Sequence, residues 1–315
     1  MEPAILGYPQ RNADLNPLPG FKTPPPGYGE VAFYWWMGDP LDRERLLWQL
    51  DQLAGKGIMG LQINYAHSDK GGLAWGLSYP SQPPLFSPEW WDLFEWFTAE
   101  ANRRGMAVSL SDYTLGIGQG WYIDETIAEH PELRGSELRM LTYEIRGGEQ
   151  RDFPVPPGTL CVMAYNLGDA SGSLEDGRDL RSEVTQGKLV WTAPETYPLW
   201  QIVVISAGTI PHSLDPMNPS TGKEVILRFF QRFEDHLPQQ GGKGLNFFFS
   251  DELEFGLKGR IWTENFPAEF QRRKGYDLLP ELPALWFALG SRTAKVRLDY
   301  NDVRVALSEA GYFQP

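Results

Sequence analysis

Apolar and polar residues follow two different periods along the first part of this 315-residue chain. Residues 31–37, 58–64 and 106–112 are short apolar runs with the length and composition typical of buried strands. Between these runs, apolar residues recur at the three- and four-residue spacing of amphipathic helices. Strands that alternate with helices predict βαβ units and a parallel sheet.

The pattern changes in the middle of the chain. Residues 137–207 contain short β-like runs separated by Gly, Pro and Asp clusters, which predict an antiparallel insertion after the third strand. The helical pattern then resumes, and residues 244–251 form a fourth apolar run. We expect the four runs 31–37, 58–64, 106–112 and 244–251 to lie side by side as parallel strands in that order, with right-handed crossovers.

These elements predict an α/β fold of the (β/α)₈ TIM-barrel type. The barrel is incomplete, because only its first four βα units are present. Residues 1–29, rich in Pro and Gly, form an extended N-terminal segment. Residues 30–136 are the first part of the barrel, residues 137–207 the β-rich insertion and residues 208–315 the truncated continuation of the barrel.

Three carboxylates follow the fourth strand within four residues: Asp251, Glu252 and Glu254. Like charges at this spacing repel one another, and each loses hydration near a core, so a cation, a shared proton or a substrate is expected to compensate them. Ligands also bind at the carboxyl ends of strands in α/β folds. The alternative is a solvated acidic turn after an edge strand.

Composition narrows the classes of function. The 28 Lys and Arg residues against 41 Asp and Glu residues give a net charge of −13, which disfavours nucleic acid and anionic membranes as partners. The single cysteine, Cys161, cannot form an internal disulfide and is expected to be a small buried residue. We see no signal peptide and no membrane span, so a cytoplasmic location is expected. The chain also contains 12 Trp, 13 Tyr and 17 Phe residues. Sugar rings stack on such aromatic faces, although most of these residues must supply core area.

Four stretches resemble the glycoside hydrolase family 106 α-L-rhamnosidases, in the N-terminal part of their catalytic barrel. The stretches are FYWWMG at 33–38, LFSPEWW at 85–91, DELE at 251–254 and RRKGYDLLPELPAL at 272–285. The last is the most specific, because so long a pattern is hard to reach by chance. The resemblance implies inverting hydrolysis of terminal α-L-rhamnosides by a carboxylic acid and a carboxylate base.

The resemblance also implies roles for individual residues. Glu254 takes the place of the general acid, and the base is expected on a later strand, beyond Pro315. The family further implies a calcium ion near the sugar, with Glu252 as a ligand and Asp251 as a weaker candidate. We therefore expect the chain alone to be inactive as a hydrolase and to self-associate through the open barrel edge.

Other polar and aromatic residues are placed by the predicted topology on the catalytic face. Asn64 and Asp112 end two strands, and Trp262 lies in the loop after the acidic residues, so these three are candidates for substrate binding. Asp215 leaves the β insertion on the same face. For each of them, local capping, turn bonding or packing is an alternative explanation.

Two other functions stay open at this point. One is another TIM-barrel glycosidase, because fold alone does not choose the chemistry. The other is a noncatalytic carbohydrate-binding fragment. The expected partner is in each case a sugar, and for the leading hypothesis it is a rhamnose-containing glycoside, oligosaccharide or polysaccharide.

Overall fold

A computed structural model describes most of the chain. The described residues are 16–22, 29–36, 40–65, 72–73, 77–78, 82–84, 86–111, 121–167, 174, 177–237, 245–249 and 255–315. The greater part of the predicted N-terminal segment, residues 1–15 and 23–28, lies outside them.

The described residues form eight α-helices and fourteen β-strands. The helices are α1 (Pro17–Lys22), α2 (Arg43–Gly55), α3 (Pro88–Arg103), α4 (Trp121–Glu129), α5 (Thr221–Val225), α6 (Gln231–His236), α7 (Phe266–Lys274) and α8 (Thr293–Ser308). The strands are β1 (Glu30–Trp36), β2 (Ile58–Tyr65), β3 (Gly72–Leu73), β4 (Leu77–Ser78), β5 (Ala107–Ser111), β6 (Arg134–Arg146), β7 (Gln150–Pro154), β8 (Thr159–Asn166), β9 (Arg178–Asp179), β10 (Val184–Thr185), β11 (Lys188–Thr192), β12 (Leu199–Leu214), β13 (Leu245–Phe249) and β14 (Arg260–Trp262).

The chain divides into two compact units. Unit 1 comprises residues 1–125 and 224–254, and unit 2 comprises residues 126–223 and 255–315. Among the described residues, no helix is both long enough and apolar enough to cross a lipid bilayer.

Unit 1 is built on a four-stranded sheet in the order β1-β2-β5-β13. Each neighbouring pair is parallel, so the predicted order of the four strands is confirmed. Helices α2 and α3 begin at side-chain caps: the Asp42 carboxylate accepts the Arg45 N–H, and the Ser87 hydroxyl accepts the Trp90 N–H. One face of the sheet packs on these helices through a mainly aromatic core, whose largest fully buried members are Trp90, Phe94, Phe97 and Phe233.

Unit 2 is a three-layer structure of two antiparallel sheets and a pair of helices. The five-stranded sheet has the order β14-β6-β12-β8-β9, and the three-stranded sheet the order β10-β11-β7. Strand β12 is buried on both faces: Ile202 and Val204 pack towards the three-stranded sheet, and Val203 and Ile205 towards α7 and α8. Because successive side chains of a strand point to opposite faces, β12 contributes residues to two apolar cores.

Cys161 lies in the core on the helix side of β8, where it is free and fully buried. Burial raises the pKa of its thiol well above the ordinary range. The prediction that Cys161 is a small buried residue is confirmed.

The predicted (β/α)₈ TIM-barrel type is wrong for the structure that these residues form. The sheet of unit 1 stays open, because no described strand joins β1 to β13. Closing a sheet into a barrel takes strand number and stagger that four strands do not supply. The antiparallel part is also more than a small insertion: together with residues 255–315 it forms a unit of about half the chain.

Helices α7 and α8 are tied together by one nearly buried carboxylate. Asp299 on α8 is 6 % exposed and accepts hydrogen bonds from the Tyr276 hydroxyl at 2.9 Å and from the Lys295 ammonium, and Lys274 Nζ lies 3.2 Å from it. Desolvation raises the pKa of Asp299, but the hydrogen bonds from Lys295, Tyr276 and Lys274 outweigh it and hold that pKa below its ordinary value of 3.8.

The lowered pKa predicts an acid-sensitive contribution to stability. The unfolded chain binds the Asp299 proton more readily than the folded chain does, so this contribution is complete above the ordinary pKa and is lost as the pH falls through the folded pKa. We expect Asp299→Asn to lower the free energy of unfolding at neutral pH by about 2 kcal/mol. It should also flatten the decline of stability between about pH 5 and pH 3. Urea unfolding followed by circular dichroism measures both effects.

Asp302→Asn is the matched control, because Asp302 lies on the same helix and pairs with Lys274 at 2.9 Å but is 53 % exposed in its side chain. Exposed ion pairs contribute about 0 to 1 kcal/mol, so its effect should be small. Equal effects of the two substitutions would contradict the role given to Asp299.

Candidate functional site

The carboxyl ends of four strands lie along one edge of the sheet in unit 1. Because β1, β2, β5 and β13 are parallel and adjacent, they end at residues 36, 65, 111 and 249 on the same side. Ligands of open α/β sheets bind outside this edge. The sequence candidates Asp112, Asp251, Glu252 and Glu254 follow two of these ends along the chain. These four residues lie outside the described part of the structure, and their roles stay predictions.

The face of this sheet that points away from α2 and α3 combines exposed apolar side chains with buried polar ones. On β1, Phe33 is 55 % exposed and Trp35 is 41 % exposed. Parallel register pairs Phe33 with Gln62 and Trp35 with Asn64, and it pairs Gln62 with Ser109 on β5. Registered partners in neighbouring strands share a face, so these five residues form one surface.

Gln62, Asn64 and Ser109 form what we call the polar strip. Their exposed fractions are 2 %, 0 % and 0 %. Gln62 Nε2 donates to Asn64 Oδ1 at 3.1 Å, which fixes the orientation of both amides. Neither Asn64 Nδ2 nor the Ser109 hydroxyl has a hydrogen-bond partner among the residues that the structure describes.

Polar groups that are buried without partners cost about 1 to 3 kcal/mol each, and native proteins keep few of them. Asn64 Nδ2 offers donors, and the Ser109 hydroxyl can both donate and accept. Both groups are fully buried, so a ligand with several hydroxyl groups would have to displace the residues that cover them in order to pair with them. The predicted substrate-binding residue Asn64 lies near the carboxyl end of β2. Its Oδ1 accepts from Gln62, and its Nδ2 has no partner in the described part of the chain.

The buried hydroxyl of Ser109 is expected to lower the stability of the folded protein. We expect Ser109→Ala to raise the free energy of unfolding by about 1 kcal/mol, because it removes a buried hydroxyl that has no partner among the described residues. The matched control is Thr98→Val. Thr98 is also fully buried, but its hydroxyl donates to the Phe94 carbonyl at 2.8 Å. Thr98→Val should therefore lower stability by about 1 kcal/mol. Chemical denaturation compares the two variants, and a loss of stability in Ser109→Ala would contradict the description of the strip.

Trp262 lies in unit 2, at the end of β14. Its side chain is 4 % exposed and packs in the apolar core beneath α7, with its ring 5.0 Å from that of Phe266. This position provides core area and leaves little indole surface for a sugar. Its predicted contact with substrate stays a prediction.

Asp215, in unit 2, closes a turn after β12. Its carboxylate accepts the Met217 N–H at 2.9 Å, and its carbonyl accepts the Thr221 hydroxyl at 2.6 Å. Burial raises the pKa of Asp215, and a hydrogen bond from Thr263 opposes that shift. These contacts match the alternative of local turn bonding.

Two cavities lined by described residues can be compared in volume with known small-molecule sites. A pocket of about 120 Å³ in unit 1 lies beside Trp35 and Arg45, and a wider groove of about 420 Å³ in unit 2 is lined mostly by apolar side chains, including Phe255, Val305 and Phe313. Small-molecule sites usually measure about 300 to 1,000 Å³. The first cavity is smaller than this range. The second falls within it and has Arg304, Ser308 and Glu309 beside its apolar residues.

The sequence analysis missed Gln62 and Ser109. The signal for Gln62 was present, because Gln62 and Asn64 are two residues apart in an otherwise apolar strand and therefore share a face. Among the described residues, no group of three His, Cys, Asp or Glu side chains is placed to hold a metal ion. The predicted calcium ligands Glu252 and Asp251 lie outside the described part of the structure.

Comparisons with known proteins support the resemblance found in the sequence. The profile of glycoside hydrolase family 106, described as alpha-L-rhamnosidase, matches residues 176–309. This range contains the acidic residues 251–254 and the stretch 272–285, so the resemblance to the family is confirmed there. No curated protein matches the chain.

Among solved structures, the chain is similar to the rhamnosidase from Novosphingobium sp. PP1Y. The two share 12 % sequence identity with a TM-score of 0.57, over 95 % of this chain and 46 % of that protein. The chain thus spans less than half the length of this structural relative. At this identity the likeness concerns the fold.

Proposed function

We propose that the protein is a glycoside hydrolase that acts on terminal α-L-rhamnosides. The observation that carries this proposal is the family match over residues 176–309, because the matched range includes the acidic residues that follow β13. The parallel sheet is consistent with it, since β13 delivers the chain to those residues from the carboxyl edge, where α/β sheets bind ligands.

In the proposed reaction, Glu254 protonates the oxygen of the leaving group. A carboxylate base activates water on the opposite face of the sugar, which inverts the anomeric centre. The polar strip supplies hydroxyl recognition through Asn64 Nδ2 and Ser109 Oγ. The exposed ring of Trp35, registered beside Asn64, offers a face on which the sugar ring can stack.

Glu254→Gln tests the acid. In an enzyme that has both carboxylates, we expect it to reduce turnover of an alkyl rhamnoside by about a hundredfold or more, because the leaving alkoxide needs a proton. An aryl rhamnoside with a good leaving group should lose much less. Glu264→Gln, which changes an exposed carboxylate ten residues later, is the control and should affect neither substrate. Equal losses on both substrates in Glu254→Gln would assign the acid to another residue, with Asp112 the next to change.

We further propose that Glu252, with Asp251 as a second ligand, binds calcium. The donor set fits, because Ca²⁺ prefers carboxylate and carbonyl oxygens and its charge offsets the repulsion among Asp251, Glu252 and Glu254. When bound, the ion supplies a positive charge that holds sugar hydroxyls.

Calcium binding can be measured without activity. We expect added Ca²⁺ to raise the melting temperature of the protein, because an ion that binds only the folded state stabilises it. Glu252→Gln should abolish this shift and the heat of Ca²⁺ binding in calorimetry, whereas Glu264→Gln should retain both. A wild-type protein that binds no Ca²⁺ would remove the ion from the proposal.

Sugar binding without hydrolysis is the second candidate function. The polar strip favours it, because oriented amide and hydroxyl groups beside exposed aromatic rings suffice to hold a sugar, whereas hydrolysis needs two carboxylates. Calorimetry with rhamnose distinguishes the two: binding that is weakened by Ser109→Ala, in a wild-type protein without turnover, would favour this candidate.

A further inference from the structure

The groove of about 420 Å³ lies wholly within unit 2, and we call it the α8 groove. Helix α8 and the turn that continues it to residue 313 form one side. Pro216, Phe255 and Ile261 also line the groove. The proposed reaction uses none of these residues, so the α8 groove needs an explanation of its own.

Two large apolar side chains of the α8 groove are exposed. Val305 is 57 % exposed and Phe313 is 62 % exposed. Together with Phe255 and Ile261, they give the groove an apolar wall. Exposed apolar groups around a concave surface are typical of binding sites.

The turn that carries Phe313 is a π-helical turn, Glu309–Phe313. Such turns are rare and are frequent at functional sites. Gly311 packs closely on the chain beside it: a Cβ atom at this position would lie 2.6 Å from the Pro216 carbonyl oxygen and 2.8 Å from that of Asn218. The backbone that carries Phe313 is therefore held in place before any ligand binds.

Three polar side chains, Arg304, Ser308 and Glu309, line the same groove. Arg304 and Ser308 are one helical turn apart, so they share a face of α8. Neither side chain has a hydrogen bond or an ion pair within the part of the chain that the structure describes. Glu309 Oε1 accepts a long hydrogen bond of 3.4 Å from Gln314 Nε2, which leaves the carboxylate able to accept more. The α8 groove therefore offers donors, a hydroxyl and an acceptor.

These polar groups discriminate between classes of ligand. A carboxylate attracted by Arg304 would be repelled by Glu309. A wholly apolar ligand would remove water from Arg304 and Ser308 without replacing its hydrogen bonds. A sugar suits both charges, because its hydroxyls can accept from Arg304 and donate to Glu309. The apolar face of its ring can pack on an aromatic side chain.

The apolar wall also favours one kind of sugar. Five of the eight lining residues are apolar, so part of the ligand meets no hydrogen-bonding group. A 6-deoxy sugar carries a methyl group where an ordinary hexose carries a hydroxymethyl group. Burial of the methyl group is favourable, whereas a hydroxyl buried without a partner is costly.

We propose that the α8 groove binds L-rhamnose, a 6-deoxy sugar. Its ring and methyl group pack on Phe255 and Phe313, and its hydroxyls pair with Arg304, Ser308 and Glu309. The choice of rhamnose among 6-deoxy sugars rests on the proposed function, whereas the groove itself is built from unit 2 alone. Such a site retains the protein on material that is rich in rhamnose.

A titration of the full chain with L-rhamnose, followed by NMR of labelled isoleucine and valine methyl groups, tests the proposal. The methyl signals of Ile261 and Val305 should shift and reach saturation. L-Mannose, which differs from L-rhamnose by one hydroxyl on C6, should bind about tenfold more weakly, because the apolar wall offers that hydroxyl no partner.

Variants of the groove should weaken the binding of L-rhamnose. Arg304→Met keeps an apolar stem but loses the donors, and Phe313→Ala loses the ring, so each should raise Kd by about tenfold. Phe313→Trp keeps an aromatic face and should retain binding. Leu298→Ala is the control, because Leu298 is also on α8 and is 61 % exposed but does not line the groove.

The outcomes separate this proposal from the proposed function. Unchanged Ile261 and Val305 signals in a protein that hydrolyses rhamnosides would overturn the proposal for the α8 groove alone. Saturable shifts in a protein without turnover would support the groove and count against hydrolysis. Shifts produced by benzoate and not by L-rhamnose would assign the groove to carboxylate ligands, and equal losses in Phe313→Ala and Leu298→Ala would also overturn the proposal.

Discussion

Parallel pairing of β1, β2, β5 and β13 is the constraint that decides where chemistry can lie in unit 1. The carboxyl ends of parallel strands lie along one edge of the sheet. The loops that follow β1, β2, β5 and β13 therefore all start at this edge, although they are far apart in the chain. Asn64 reaches this edge within β2, and the chain continues from it towards Asp112 and towards the acidic residues after β13. If neighbouring strands were antiparallel, two of the four would have their carboxyl ends at the opposite edge of the sheet.

The same sheet has two unlike faces, and the contrast carries functional information. The helix side is filled by apolar side chains such as Leu61 and Ile63, whereas the other side carries Gln62, Asn64 and Ser109. Strand β12 in unit 2, which is equally buried, places apolar residues on both faces. The proposed sugar would supply partners for Asn64 Nδ2 and Ser109 Oγ, which have none among the residues that the structure describes.

In unit 2, one carboxylate holds a backbone segment that is far away from it in the chain. Glu137 Oε1 accepts the N–H groups of Lys258 and Gly259, and Gly256 lies against the backbone of β12. Charge-assisted hydrogen bonds of this kind are stronger than neutral ones. They leave residues 255–259 little freedom within unit 2.

The sequence by itself determined the local elements of unit 1 and the resemblance to a glycosidase family. Apolar runs and helical stripes are short-range patterns, and they identified the four parallel strands, their order and the acidic residues that follow the last one. The family resemblance rested on contiguous stretches, and it was confirmed where the profile matches, over residues 176–309.

Only the tertiary structure decided the fold class and the long-range contacts within unit 2. The barrel expectation failed because closure depends on strand pairing between distant segments, which no local period encodes. The pairing of β14 with β6 and the hydrogen bonds from Lys258 and Gly259 to Glu137 join residues more than 120 positions apart. Such contacts form where folding brings an unpaired backbone donor close to a distant acceptor. The local sequence therefore does not specify them.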